Sequence, residues 1–376
     1  MDGSYVSIAE KDTYLRFLKY GQREDKRAAF DYRDWQVFYT KDPGTCVVYL
    51  GNTTVMCTVK VLPKRTWKTT QVRGLSRVDL SLSAMSFSKF QPSRQRLRTI
   101  RKQLRQHIKS SIFWSKCVDD ESLCISRGKA VFQVHISIDV IHADGNLFDA
   151  TCMAAVACLL NTQRPEIIVE GNQILALSTF DKTPIPLQIN HIPVSTTFGF
   201  QPASHFAIVD PSGKEEIVLN GALTIVVNQN GEICGTYKHG MAALPVETIS
   251  RCAEIAALRA KDVAVKLREL AENDSSRRLR NESVDFLDNL RRRLPTGADT
   301  EKDGSITKRA QTLGILPAAS AFPQHESAHI LPKREEVRLP DEQDLSDEEG
   351  ELSMDEDEEG LGSEEETDFL HSADLE

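Results

Sequence analysis

The chain has 376 residues, and its formal net charge of −9 hides an uneven distribution of charge. Residues 341–376 hold 18 of the 55 Asp and Glu and neither Lys nor Arg, which leaves 46 basic against 37 acidic side chains elsewhere. With 40% hydrophobic residues the body can bury a full core, so a wholly disordered chain is excluded. No run reaches the roughly 18 apolar residues of a membrane helix, and no secretory signal opens the chain. We therefore expect a soluble intracellular protein without a membrane partner.

The cysteines and histidines do not form a metal-ligand pattern. The eight cysteines are scattered, contain no Cys-x-x-Cys pair and lie mostly in apolar runs, where a reduced thiol acts as a small hydrophobe. His135 and His142 are isolated on strand-like sequence and are more typical of ordinary strand residues than of ligands. The sequence therefore predicts neither a metal site nor a cofactor.

The first predicted elements are a short helix and a β-hairpin. Ser7 followed by Glu10 has the pattern of a capping box, and Tyr20-Gly21 marks the end of that helix. Two β-branched runs, 45–50 and 53–62, flank the two-residue turn Gly51-Asn52. Residues 78–82 supply a third strand.

Residues 93–113 predict a helix with two distinct faces. One face is apolar and carries Leu97, Ile100, Leu104, Ile108 and Ile112. Another is basic and carries Arg94, Arg98, Arg101, Arg105 and Lys109. The run 132–140 then alternates apolar and polar residues, which predicts a strand with one buried face.

The second half predicts a helix, further strands and a closing helix. Residues 147–161 are rich in small residues, which lets a helix lie close against a sheet. Strand-like runs resume near 167–169, 196–200 and 206–209, and a hairpin over 222–237 turns at Asn230-Gly231. A helical pattern runs from Pro245 toward Asn273. We predict one folded body over 1–294, divided near residue 190, a disordered linker over 295–340 and a disordered acidic tail over 341–376.

Several segments in chain order resemble the RNase PH family. They are Gly21-Gln22-Arg23-Glu24-Asp25-Lys26-Arg27 with Arg33 after it, the hairpin Gly44 to Val55, and the stretches 115–124 and 143–150. The last two resemble the ring subunits of the eukaryotic RNA exosome in particular. Within that set, the Asp144-Gly145-Asn146 sequence and the acidic extension are most similar to a ring subunit that carries such a tail. The resemblance covers roughly residues 5–272.

This resemblance implies an α/β (α+β) fold of the RNase PH type, related to domain 2 of ribosomal protein S5. It also implies a six-membered hetero-oligomeric ring, in which two RNase PH-like classes alternate around a channel for single-stranded RNA. The expected partners are other RNase PH-like ring subunits, RNA-binding cap subunits and a hydrolytic exoribonuclease. The expected roles are rRNA processing and mRNA decay, and the expected locations are the nucleus, the nucleolus and the cytoplasm.

The family resemblance also argues against catalysis. Phosphorolysis needs cations or backbone N–H groups around a phosphate ion and a carboxylic acid beside them. The acids of active relatives correspond here to Lys214 and Asn220, and an amide cannot act as a general acid. Active relatives carry Gly-Gly-Thr-Arg where this chain has residues 145–148, and Asp149 in the next position would repel phosphate from the first helical turn.

We therefore expect a non-catalytic subunit. The alternative is an active phosphorolytic 3′–5′ exoribonuclease, in which Glu215 or Glu216 would replace the lost acid. The simpler interpretation of those two residues is solvated charge at the tip of a turn. A third hypothesis, an acidic-tailed chaperone for basic proteins, depends on the tail alone.

Two basic stretches are candidates for RNA binding. The first is a segment between two strands that combines cations with an aromatic side chain: Lys64, Arg65, Trp67, Lys68, Arg73 and Arg77. The second is the basic helix face from Arg94 to Lys109. By the resemblance that helix borders the RNA channel, although this chain is about two residues longer before Ser115 than close relatives and has Ser110 and Ser111 where they carry arginine. A solvated charged face is the alternative for both stretches.

The acidic tail offers modification sites. Ser346, Ser353 and Ser363 are each followed three residues later by an acid, which is the pattern that acidophilic kinases prefer. The tail could bind basic surfaces, compete with RNA or only promote solubility. Basic clusters at 291–293 and 333–334 are compatible with nuclear import.

Overall fold

The first sheet is built from six strands of the N-terminal half. In this computed structural model, the structure describes residues 7–19, 23–65, 74–87, 92–170, 173–176, 184–200, 207–219 and 221–280. The strands are β1 (Trp35–Tyr39), β2 (Thr45–Leu50), β3 (Thr53–Arg65), β4 (Leu75–Leu82), β5 (Cys124–Ser126) and β6 (Ala130–His142). Their order is β1-β2-β3-β6-β4, with β5 beside the start of β6. β4 is parallel to β6, and the other pairs are antiparallel.

The local patterns explain why these strands form. Gly51 at the β2–β3 turn has φ +56°, and a Cβ there would lie 2.6 Å from Cδ of Arg33, so the turn needs glycine. On β6, Val134, Ile136 and Ile138 are fully buried and the residues between them are not. The predicted first hairpin and the predicted alternating strand are both confirmed.

Helix α3 (Leu147–Leu160) lies at the centre of the fold. Twelve of its 14 residues are buried, and it packs on β2 and β3 as well as on β11 (Val194–Phe200) of the second sheet. Its alanines and cysteines keep the helix narrow enough for both contacts. The second sheet has the antiparallel order β12-β11-β13-β14, with β12 (Ala207–Val209), β13 (Gly221–Val227) and β14 (Ile233–Gly240).

The remaining elements flank these layers. Helix α5 (Val246–Leu279) packs on β11 and β13, and α1 (Ile8–Lys19), which begins with the predicted Ser7–Glu10 capping box, packs on α4 (Gly213–Val218). Two short strand pairs, β7 (Gln163–Arg164) with β10 (Ile185–Pro186) and β8 (Ile167–Glu170) with β9 (Gln173–Ala176), complete the described chain. Across the described ranges no helix is both long and apolar enough to cross a membrane.

The predicted helix over 93–113 is corrected in its last turn. Helix α2 covers Arg94–Ile108, with Ser93 as its N-cap, and residues Lys109–Trp114 form a π-helical segment, here called the π turn. The bonds that close it run from the N–H of Ser115 to the Ser110 carbonyl (3.3 Å) and from Cys117 to Ile112 (2.9 Å). A π turn accommodates one residue more than an α turn.

Candidate nucleic-acid interface and phosphate loop

Arg23 of the N-terminal motif, residues 21–27, connects the start of the folded body to the segment from β12 to α4. Its buried guanidinium donates to both carboxylate oxygens of Glu215 (2.9 and 2.6 Å) and to the backbone oxygens of Val209 and Asp210 (2.8 Å each). Glu215 lies on α4 and is only 3% exposed. The prediction that Glu215 is solvated charge at a turn is therefore wrong, because Arg23 supplies the partner that a buried carboxylate requires.

Asp210 is the centre of a second buried ion-pair cluster. It is fully buried, and its carboxylate accepts bonds from Arg27 (3.1 Å), Arg33 (2.9 Å) and the side-chain amide of Asn146 (2.6 Å). Burial alone would raise the pKa of the Asp210 carboxyl, but Arg33, Arg27 and Asn146 lower that pKa well below its usual range. The motif arginines 27 and 33 therefore neutralise a buried charge of their own chain.

The loop before α3, residues 143–149, is here called the phosphate loop because the resemblance assigns phosphate binding to it. Arg33 donates to the carbonyl oxygens of Asp144 (2.8 Å) and Gly145 (3.3 Å). Gly145 has φ +79°, and a Cβ there would lie 2.5 Å from the backbone nitrogen of Gly213. The loop is therefore pinned against the start of α4, at a distance that only glycine permits.

A carboxylate of the chain itself is bound at the start of α3. The backbone N–H of Asn146, the N-cap of that helix, donates to Oε1 of Glu216 (2.7 Å). Helix N-termini attract anions because their N–H groups lack intrahelical partners and the helix dipole is positive there. The Glu216 carboxylate thus stands at the type of position that an external anion would take.

Asp149 lies in the first turn of α3, as predicted, but its carboxylate is turned inward. It accepts bonds from the Tyr32 hydroxyl (2.8 Å), from the N–H and hydroxyl of Thr197 (3.1 and 2.8 Å) and from Asn146 (2.9 Å). Arg259 lies 3.4 Å away as its counter-ion. Because Asp149 is 1% exposed and paired, it repels an external phosphate less than its sequence position suggests.

Lys214 connects α4 to the N-terminal helix. Its ammonium group donates to Glu24 (2.7 Å), whose carboxylate also accepts the Tyr14 hydroxyl (2.7 Å). Asn220, the other position that the resemblance places at the lost acids, lies outside the described residues. Lys214 therefore acts in this structure as a contact between helices.

A cluster of four rings adjoins the phosphate loop and was not predicted from the sequence. Phe148 stacks on His239 (5.3 Å between centroids) and also contacts His107 (5.1 Å) and Tyr237 (5.3 Å). Burial, together with the neighbouring His239, lowers the pKa of His107 to about 3, and burial also lowers the pKa of His239. This aromatic cluster is therefore uncharged at neutral pH, at the point where the resemblance expects an arginine.

The five predicted basic residues of α2 differ in exposure. Arg94 and Arg98 are exposed, whereas Arg101, Arg105 and Lys109 are partly buried. Arg101 donates to the Leu82 carbonyl (2.8 Å), which fixes it against the end of β4. Within the described part of the chain, none of these five side chains forms an ion pair with a carboxylate. Arg94 and Arg98 are therefore the members best placed to contact an external anion.

The other predicted basic stretch is only partly described. Lys64 and Arg65 are exposed at the end of β3, and Trp67, Lys68 and Arg73 lie outside the described residues. The prediction that Arg77 lies between two strands is wrong, because Arg77 is within β4 and pairs with Asp79 (2.8 Å).

The histidines and cysteines behave as ordinary polar and apolar residues. His135 contacts Asp79 (2.8 Å), and His142 contacts the carbonyl oxygen of Asn52 (2.7 Å). All eight cysteines are free thiols. Within the described ranges, no group of three His, Cys, Asp or Glu is arranged to hold a metal ion. The tail serines 346, 353 and 363 lie outside the described residues.

Comparison with known proteins places the chain in a family. Residues 33–165 match domain 1, and residues 191–258 match domain 2, of the RNase PH 3′ exoribonuclease family. The fold is similar to that of a chain of the Archaeoglobus fulgidus exosome with RNA bound to the active site, with 27% identity, a TM-score of 0.55 and coverage of 69% of this chain and 96% of that one. The chain therefore belongs to the RNase PH 3′ exoribonuclease family, and its predicted fold class is confirmed.

Curated relatives give a more specific similarity. The exosome complex component RRP45 of Danio rerio is 32% identical over 76% of this chain and 72% of its own length. The human RRP45 is 30% identical over 85% of this chain and 73% of its own length. The Schizosaccharomyces pombe rrp45 is 31% identical over 75% of this chain and 95% of its own length. The Asp144-Gly145-Asn146 sequence and acidic extension likewise resemble the polymyositis/scleroderma autoantigen subunit of the exosome ring.

Proposed function

We propose that this chain is a non-catalytic subunit of an RNA exosome ring, which supports 3′-to-5′ RNA processing and degradation by a separate nuclease. Its partners are other RNase PH-like ring subunits, RNA-binding cap subunits and a hydrolytic exoribonuclease. The similarity to RRP45 proteins over three quarters or more of the chain supports this role. The proposal includes action in the nucleus, the nucleolus and the cytoplasm.

The observation that carries the non-catalytic role is the contact between Glu216 and the N–H of Asn146. In a phosphorolytic enzyme the start of this helix must be free to take an inorganic phosphate. Here a carboxyl group of the same chain holds that N–H, so a phosphate would have to displace it. Burial raises the pKa of Glu216 to about 7, so the group is only partly ionised at neutral pH, and its repulsion of a phosphate is greatest above that pH.

The rest of the phosphate loop supports the same conclusion. Phe148 stands where active relatives carry arginine, and the aromatic cluster around it is uncharged at neutral pH. Arg27 and Arg33, the nearest motif arginines, are paired with buried Asp210. The loop therefore offers phosphate no free motif arginine, which leaves the backbone N–H groups at the start of α3 as its main attraction for an anion.

Replacing Glu216 tests directly whether its carboxyl group blocks phosphate binding at the start of α3. We expect that the full-length chain releases no nucleoside diphosphates from 3′-hydroxyl RNA, and that phosphate does not raise its melting temperature at constant ionic strength. Glu216→Ala should gain a phosphate-dependent rise, because binding to the folded state alone stabilises it, yet should still release no nucleoside diphosphate.

Two variants serve as controls for that measurement. Glu254→Ala removes one exposed carboxylate from α5 and should respond like the unmodified chain, and Glu216→Gln keeps a hydrogen-bond acceptor without the charge. Phosphate-dependent release of nucleoside diphosphates by the pure chain would refute the non-catalytic role. Equal phosphate responses of the unmodified chain and Glu216→Ala would refute the part assigned to Glu216.

Assembly is tested by native mass spectrometry of the tagged chain purified from its own cells. We expect a complex with one copy of this chain, several different RNase PH-like subunits and RNA-binding cap proteins. A homo-hexamer of this chain would instead favour the alternative, a self-sufficient phosphorolytic exoribonuclease.

A further inference from the structure

Trp114 is an exposed aromatic side chain with no role in the core. It ends the π turn and is 67% exposed, although tryptophan is a largely buried residue in most folded proteins. The side chains that anchor the turn are Ser111 and Ile112, which are fully buried. Because these neighbours hold the turn, loss of the indole would not open a cavity.

The π turn sets the position of Trp114 around the helix axis. An α-helix advances by about 100° per residue, whereas a π turn closes its hydrogen bonds five residues apart and so advances by less. Five π-helical steps beyond Lys109 therefore bring Trp114 closer to the direction of Lys109, the last member of the basic face, than five α-helical steps would. A regular α-helical ending would rotate Trp114 farther around the axis.

The helix that leads into Trp114 is strongly cationic in sequence. From Arg94 to Lys109 the sequence holds seven Lys or Arg and no Asp or Glu. Lys116, two residues after Trp114, is also exposed and has φ +59°. An aromatic plane beside a row of cations is the arrangement with which proteins bind single-stranded nucleic acid, since the cations hold phosphates and the ring stacks on a base.

We propose that Trp114 stacks on a base of single-stranded RNA that follows the basic face of α2. The inference rests on the proposed function, and it adds a base contact to a surface otherwise defined by charge. The cations that flank Trp114 in sequence, Lys109 and Lys116, favour RNA over a protein partner, because lysine is depleted at protein interfaces whereas tryptophan and arginine are enriched there. Stacking depends little on the identity of the base, so the contact suits a subunit that accepts many RNAs.

The test uses the full-length chain in its purified complex. Affinity is measured for a uridine oligonucleotide and for an abasic strand of equal length, over a range of salt concentrations. Trp114→Ala should bind the uridine strand roughly fivefold or more weakly, with the abasic strand almost unaffected and the salt dependence unchanged. Trp114→Phe should recover most of the loss, because a phenyl ring still stacks.

Phe17→Ala on α1, which removes another exposed aromatic side chain, is the matched control and should leave both affinities unchanged. The inference is overturned if Trp114→Ala weakens both strands equally, or neither. It is also overturned if the variant loses a protein subunit in native mass spectrometry, since Trp114 would then be a partner contact. If Trp114→Ala has no effect while charge reversal on α2 weakens RNA binding, the inference about Trp114 fails and the proposed RNA surface on α2 stands. If neither change affects RNA binding, the proposed RNA surface on α2 is wrong as well.

Discussion

Replacing Asp210 with alanine should lower the free energy of unfolding by about 3–5 kcal/mol, because the change leaves buried arginine charge without its partner. Arg27, Arg33 and the Asn146 side chain all converge on this carboxylate. The measurement is urea unfolding of the full-length chain. Asp79→Ala is the matched control, since its contacts with Arg77 and His135 are partly exposed and the Arg77 ion pair should contribute no more than about 1 kcal/mol.

The unmodified chain and the Asp210→Ala variant should also differ in how their free energy of unfolding depends on pH. The pKa of Asp210 is depressed in the folded state, so its contribution is fully present above the unfolded pKa of about 3.9 and is lost as pH falls toward the lower folded value. The stability difference between the unmodified chain and Asp210→Ala should therefore be constant near neutral pH and shrink below about pH 4. A difference that stays constant into strong acid would contradict the assigned ion pair.

Reversing two exposed charges on α2, Arg94→Glu with Arg98→Glu, should weaken RNA binding by the assembled complex. If each arginine contacts one phosphate of a single strand, the slope of log affinity against log salt is shallower by about 1.4 in the variant. The ratio of the two proteins' affinities then changes about 25-fold for each tenfold change in salt. The measurement is a salt titration of binding to a uridine oligonucleotide. These two positions are a sharper test than Arg101 and Arg105, which are partly buried in the described structure.

The control for that experiment changes the net charge equally on another surface. Arg251 and Arg268 are exposed on α5, and their replacement by glutamate should leave the salt slope almost unchanged if the RNA contact is local to α2. Equal losses from both double variants would show that only the total charge matters. Native mass spectrometry of each complex separates loss of RNA binding from loss of assembly.

Most secondary structure was predictable because its signals are local. The period-two pattern of β6, the Gly51-Asn52 turn and the small residues of α3 each express a constraint within a few neighbouring residues. The last turns of α5 were not predictable in the same way. They are held by Asp274, which bonds Asn161 and Arg278, and by bonds from Arg278 to the backbone oxygens of Thr40 and Lys41. Polar contacts of this kind leave no apolar periodicity.

The candidate site also separates what the sequence predicts from what the tertiary structure decides. Sequence by itself determined the family and the basic residues of α2, because those features are read from residue types in order. It could not distinguish Glu215 from Glu216, two equal acids in adjacent positions. The tertiary structure pairs one of them with Arg23, 192 residues away, and sets the other on the N–H of Asn146, 70 residues away. Only the fold decides such pairings, because the free energy of a buried charge depends on which partner the returning chain brings beside it.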